Sequence, residues 1–233
     1  MNPLFIESIQ TFPSVADRSV KVKITLSKEY GINGKQIRLS AAAFNSSRKH
    51  KVKATEYALK EGCKEYEFVY QLGSKALLWS DLQPTLYQLK AEIDGIDEQT
   101  VRFGLRDFRA EQTHFTINGA KTFLRGKHDA CVFPLTGYTA MDLEQWRRYF
   151  RICKEYGLNH CRFHSWCPPA ACFEAADLEG IYLQPELPIW GGFKKESAEL
   201  MDFLMKDGEN IMREYSIMLP SFFSLWVMSW GRY

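Results

Sequence analysis

An excess of charge of either sign is missing from this chain. Its 30 Lys and Arg are set against 28 Asp and Glu, so 233 residues carry a formal net charge of only +2. A balance this close to zero supplies no electrostatic drive toward nucleic acid or an anionic membrane surface, and both partners are set aside. A membrane-length apolar run is missing too. The apolar stretch "SIMLPSFFSLWVMSWGRY" at 216–233 is interrupted by Pro220 and falls short of the roughly 20 residues a spanning helix needs. The opening "MNPLFIESIQTFPSV" has no basic n-region, no unbroken apolar segment and no small-residue cleavage site, so it does not read as a signal peptide. Localisation and oligomeric state stay open. Paired C-x-x-C spacing is also lacking. Cysteines stand at 63, 131, 153, 161, 167 and 172, five of them crowded into the second half without a repeat. They read as reduced, buried thiols rather than a disulfide framework.

What is present is an ordinary globular composition, 45% hydrophobic and 25% charged, with 14% aromatic residues. Rings at that density suit sugar-stacking surfaces and β-sandwich cores alike, and any single ring is first of all a core residue. Residues 1–112 alternate in "SVKVKITL" and "KQIRLSAAAF", with turn signals in "INGK" and "EIDGIDE". That rhythm predicts an antiparallel sandwich of about seven short strands.

From residue 113 the period changes. "TFLRGKH" predicts a short strand, and "MDLEQWRRYFRICKEYG" predicts an amphipathic helix with Leu143, Trp146, Phe150 and Cys153 on one face and Gly157 at its end. "LNHCRFHSW" predicts a second strand. "PPAACFEAADLEG" predicts a helix with prolines in its first turn and Gly180 closing it. "IYLQPELP" and "KKESAELMDFLMKDGENIMREY" predict a third strand and a third helix. This grammar is that of a parallel sheet, and the three units are too few to close an eight-stranded barrel. The predicted architecture is an all-β module over 1–112, followed by an incomplete (β/α) TIM barrel over 113–215.

In a parallel barrel the chemistry gathers at the strands' C-terminal ends. His160, Arg162 and His164 share one side of the second strand, while Asn159, Cys161 and Phe163 share the other. Arg162, His164 and Trp166 approach the end of that strand. His128 and Asp129 follow the first strand, Glu186 follows the third, and Trp190 lies in the next loop. A cation, imidazoles, a carboxylate and rings on one rim suit a polyhydroxylated ligand, with rings on its faces and polar groups on its hydroxyls. A lone His or Trp in such a loop more often packs or caps; recurrence at three successive strand ends is what raises the functional reading. A zinc site from His160, Cys161, His164, Cys167 and Cys172 is disfavoured, because strand parity turns Cys161 away from both histidines. No cysteine has an orienting partner that marks it as a nucleophile. No cofactor or metal is expected.

An ordered series of strings resembles glycoside hydrolase family 2. "LLWSDLQPTLYQLKAEI" (78–93) and "FGLRDFR" (103–109) are similar to segments of that family's immunoglobulin-like domain, and "FTINGAKTFLRGKHDA" (115–130) to the strand entering its barrel. "YGLNHCRFHSWCPPAACFEAADLEGIYLQPELP" (156–188) resembles the block that follows. The family's β-galactosidases, β-glucuronidases and β-mannosidases are retaining enzymes. The resemblance assigns Arg162 and Glu186 to family positions and matches His164 and His128 more loosely, which leaves the sugar open. Substrate contacts are thereby expected at His128, Arg162, His164, Trp166, Glu186 and Trp190, with carbohydrate as the partner.

The resemblance also implies an acid/base glutamate in an Asn-Glu pair ending the fourth strand and a nucleophile near the seventh, beyond residue 233. The fourth strand is expected where the apolar tail stands. Read one base-register over, the codons for 226–231 can spell Gly-Asn-Glu-Leu-Gly, and those for 216–221 Asn-His-Ala-Ser-Phe. The expectation is an out-of-frame tail from about residue 216, both catalytic carboxylates absent, and a retaining β-glycosidase fragment inactive alone. The alternative is a non-catalytic carbohydrate-binding or interaction module.

Overall fold

The computed structural model describes residues 3–189 and 197–215. Trp190 and the tail from residue 216 lie outside the described residues. The chain divides into two compact units, Met1–Lys121 and Thr122–Tyr233.

The first unit holds two antiparallel sheets. One has the order β1-β2-β5, from β1 (Ile6–Ser14), β2 (Ser19–Leu26) and β5 (Glu65–Gln71). The other has the order β4-β3-β6-β7, from β3 (Gln36–Phe44), β4 (Lys51–Ala58), β6 (Leu86–Ile93) and β7 (Asp97–Phe103). These are the strands the alternation predicts. Along β2, Val20, Val22, Ile24 and Leu26 are buried, while Lys21 and Lys23 face outward beside Glu67 and Glu65. Ile37 and Leu39 of β3 and Leu89, Ala91 and Ile93 of β6 join the same core. Each such Val, Leu or Ile side chain taken from water contributes about 2 kcal/mol.

Side chains tie the sheet edges together. Tyr57 and Tyr70 donate their hydroxyls to the carbonyls of Val69 and Lys53, at 3.1 and 2.8 Å. At the opposite seam Asp97 accepts from the Ile6 N–H at 2.7 Å, and Gln99 donates to the Ile6 carbonyl at 2.5 Å. Unpaired backbone at the edges is thereby given partners within the unit.

A second device lies inside the sandwich. The fully buried Tyr87 accepts from the Leu77 N–H at 2.8 Å, and its hydroxyl lies 2.7 Å from His50 Nδ1. Burial pushes the Tyr87 hydroxyl up, so it stays protonated and serves as a donor to the ring. Burial, with Lys75 adding to it, holds His50 below its ordinary range. The unfolded chain therefore takes up this proton first. Stability from this pair is complete above about pH 6.5 and fades as pH falls through the window beneath it. His50→Gln should flatten the loss of Tm on acidification from about pH 7 to about pH 5. An unchanged slope would remove His50 from the account.

A small sheet, β10-β9-β8, closes this unit with β8 (Phe108–Glu111), β9 (His114–Ile117) and β10 (Ala120–Thr122). The change of period near residue 112 falls inside the β8–β9 hairpin, where Glu111 pairs with His114.

In the second unit, β11 (Gly126–Asp129), β12 (His160–Phe163) and β13 (Tyr182–Gln184) form a parallel sheet in sequential order. Helices α1 (Leu143–Glu155) and α2 (Ala170–Glu179) make the crossings, and α3 (Ala198–Tyr215) follows β13. Asp142 caps α1 by accepting from the Gln145 N–H at 2.9 Å. Its far end carries paired return bonds from Gly157 to Lys154 and from Leu158 to Cys153, which need the left-handed Gly157. The prolines expected in the first turn of α2 instead precede it, with Pro169 at the N-cap.

The first strand also differs from its expectation. "TFLRGKH" splits between β10, ending at Thr122, and β11, starting at Gly126. The intervening backbone is held by the buried Asn159, whose amide accepts from the Arg125 N–H at 2.8 Å and donates to the Phe123 carbonyl at 3.0 Å.

Candidate functional site

Strand parity sorts the second unit into two faces. Cys161, Phe163 and Leu183 are buried with Trp146, Phe150 and Cys153 of α1 and Cys172 and Phe173 of α2. The other face carries two cross-strand rows. Gly126, His160 and Tyr182 pair in one, and His128, Arg162 and Gln184 in the next, nearer the strands' C-terminal ends. A Cβ at position 126 would stand 2.4 Å from His160 Nδ1, so the close approach of that ring requires glycine there. His160 is buried, its Nε2 has no hydrogen-bond partner among the described residues, and burial lowers its pKa against an opposing bond with Gln184.

At the C-terminal end, four of the expected residues meet. Arg162 Nε donates to Glu186 Oε1 at 2.6 Å. Arg162 Nη2 lies 3.2 Å from His164 Nδ1. Glu186 Oε2 accepts from the Ser165 N–H at 2.9 Å and stands 3.4 Å from His164 Nδ1. The exposed His128 ring lies 4.9 Å from that of His164, centroid to centroid. Glu186 is only 6% exposed, and its backbone N–H also bonds the Trp166 carbonyl. It is a buried carboxylate whose oxygens are taken up by the rim itself.

The turn out of β12 is shaped by Ser165 at φ 60, a left-handed position for a residue with a Cβ. Trp166 is half-buried and tied into the rim. Its indole N–H donates to the Asp129 carbonyl at 3.3 Å, and its ring stands edge-on to Phe163 and Phe133. These contacts fix the orientation of its ring at the rim. Trp190 lies outside the described residues.

Two residues, Lys127 and Tyr149, escaped sequence reasoning. Lys127, Asp129 and Tyr149 form a polar cluster between β11 and α1, with the Tyr149 hydroxyl 2.6 Å from Asp129 Oδ2. Asp129 was visible near the strand end, but nothing in the spacing linked it to a tyrosine on the next helix. The six thiols are free, and burial pushes Cys161 and Cys167 up to about 12. No group of three or more His, Cys, Asp or Glu among the described residues is arranged to hold a metal ion, and no helix among them is long and apolar enough to cross a membrane.

Residues 4–106, the sandwich, match the family described as Glycosyl hydrolases family 2. The match spans 103 of the 233 residues and supports reading the chain as similar to a fragment of a family 2 protein. Among curated relatives, it is 29% identical to the β-galactosidase BgaC of Bifidobacterium adolescentis over 113 residues. It is 27% identical to a β-galactosidase of Staphylococcus xylosus over 137 residues. These matches cover 46% and 59% of the chain but 11% and 13% of the relatives, so the chain corresponds to a small part of their length. A family 2 member from Bacteroides cellulosilyticus shares its fold at a TM-score of 0.72 and 22% identity, over 97% of this chain and 31% of that one. A Ruminococcus gnavus β-glucuronidase solved with D-glucuronic acid gives 0.72 at 21% identity, over 95% and 36%. The chain thus has a β-glycosidase-like origin. The rim residues lie outside the matched span 4–106.

Proposed function

We propose that residues 113–215 are the N-terminal part of an eight-stranded (β/α) TIM barrel, and that the ends of β11, β12 and β13 form part of the carbohydrate-binding rim of a retaining β-glycosidase. The observation that carries this reading is the Arg162–Glu186–His164 cluster at the C-terminal ends of three parallel strands. Sequential parallel order with helical crossings supports the barrel, and the family's galactosidases and glucuronidases support a sugar ligand.

Each residue has a role in binding. Arg162 holds five N–H donors, more than Glu186 and His164 consume, and offers the remainder to ligand hydroxyls. Glu186 fixes the guanidinium and the Ser165 turn. His128 and His164 supply imidazole edges beside it.

Retaining hydrolysis needs two carboxylates about 5 Å apart, one as acid and one as nucleophile. The carboxylates at these strand ends are otherwise employed. Glu186 is bonded to Arg162 and Ser165, and Asp129 to Tyr149. On this reading, the strand ends among the described residues bind a β-glycoside and do not themselves supply the acid and nucleophile pair.

Calorimetric titration with methyl β-glycosides of galactose, glucuronic acid and mannose tests the binding. At least one should bind saturably, and Arg162→Lys, which removes the planar fork, should weaken it about tenfold. Equal affinity in that variant, or no binding of any sugar, would overturn the reading.

A further inference from the structure

β11 departs from its neighbours on the helix-facing side. Where β12 and β13 present the buried, apolar Cys161, Phe163 and Leu183, β11 presents Lys127 and Asp129. The Asp129 side chain is 8% exposed. Its Oδ2 accepts from the Tyr149 hydroxyl at 2.6 Å and lies 3.4 Å from Lys127 Nζ, which also donates to Tyr149. Its Oδ1 accepts from the Cys131 N–H at 3.0 Å. Burial above all drives the Tyr149 hydroxyl far above its ordinary range, so it remains a donor.

The main-chain carbonyl of the same residue reaches the rim. It accepts from the His164 N–H at 2.7 Å and from the Trp166 indole N–H at 3.3 Å. Asp129 thus joins α1, through its side chain, to the turn that carries His164, through its backbone. A contact that only filled the space between β11 and α1 would be met by an apolar side chain, as at Cys161 and Leu183, without the cost of burying a carboxylate.

We propose that Asp129, clamped by Tyr149 and Lys127, is a positioning residue of the rim: it fixes the carbonyl on which His164 and Trp166 hang. Its functional consequence rests on the sugar-binding reading; its structural part does not. The test uses the full chain and the variants Tyr149→Phe, Asp129→Asn and, as a control on the same helix, Arg151→Gln, which loses only the pairing with Glu179. Three quantities are read: nitrogen–proton NMR signals of the Trp166 indole and the His164 amide, Tm, and the Kd for the methyl glycosides.

Tyr149→Phe should move both NMR signals and weaken sugar binding about tenfold. Asp129→Asn, which keeps one acceptor oxygen for the Cys131 N–H but sets an amide NH2 against Tyr149 and Lys127, should change both signals in the same direction. Arg151→Gln should alter Tm alone. A lower Tm in Tyr149→Phe, with NMR signals and Kd at wild-type values, would make the cluster merely structural and overturn the proposal. Absence of sugar binding in the wild type would sink the sugar-binding reading instead, and the NMR signals would still decide positioning.

Discussion

Arg162→Ala is expected to lower stability by about 3 kcal/mol, the range for stripping the partner from a buried charge. Glu186 is 6% exposed, and Arg162 Nε at 2.6 Å is its shortest contact. Removing the guanidinium leaves the carboxylate buried with the Ser165 N–H as its remaining hydrogen-bond donor among those described. The Arg162 side chain is 31% exposed, which places the effect at the lower end of that range. Glu186→Gln should cost less, about 1 to 2 kcal/mol, because an amide oxygen still accepts from Ser165 and carries no charge. Urea denaturation of both variants measures the difference. An Arg162→Ala change below about 0.5 kcal/mol, ordinary for an exposed pair, would mean that the rim is not organised around this ion pair.

Trp146→Ala should be still more damaging, at about 4 kcal/mol. Trp146 is 1% exposed and donates its indole N–H to the Ala140 carbonyl at 2.8 Å. Its ring lies 5.7 Å from Phe150, 6.1 Å from Phe163 and 6.4 Å from Phe133, centroid to centroid. Alanine opens a cavity at the junction of α1, β12 and the loop after β11, and leaves the Ala140 carbonyl without that donor. Trp146→Phe keeps most of the volume and should cost about half as much. The two variants also separate core from rim. Phe163 and Phe133 both stand against Trp166, so the alanine variant should disturb the Trp166 indole signal, whereas Arg162→Ala should act mainly on His164. Equal stability of the alanine variant and wild type would contradict the packing described.

The parts that follow from periodicity were legible in the sequence. Alternation along "SVKVKITL" gave a half-buried strand because Lys21 and Lys23 can only face water. The spacing of Trp146, Phe150 and Cys153 gave α1 its buried face. Parity along "HCRFH" placed Arg162 and His164 together, and the parallel order brought His128 and Glu186 to them. What stayed hidden depends on contacts across elements. The start of β11 at Gly126 is set by the Asn159 side chain, 34 residues from the Arg125 N–H it holds. The Asp129–Tyr149 bond runs against the pattern that makes helix-facing positions apolar, so periodicity argues against it. The bond from the Trp166 indole N–H to the Asp129 carbonyl was hidden too, because a ring near a strand end carries no sign of where its N–H is bonded. Trp190 and the stretch from residue 216 lie outside the described residues.

The most direct measurement is hydrolysis of nitrophenyl β-galactoside, β-glucuronide and β-mannoside by the 233-residue chain, run beside tryptophan-fluorescence titration with the same sugars. The account predicts saturable quenching by at least one sugar and no nitrophenol release above the uncatalysed rate. Turnover that is present in the wild type and abolished in Glu186→Gln would contradict it, because Glu186 would then be a catalytic carboxylate rather than the anchor of Arg162.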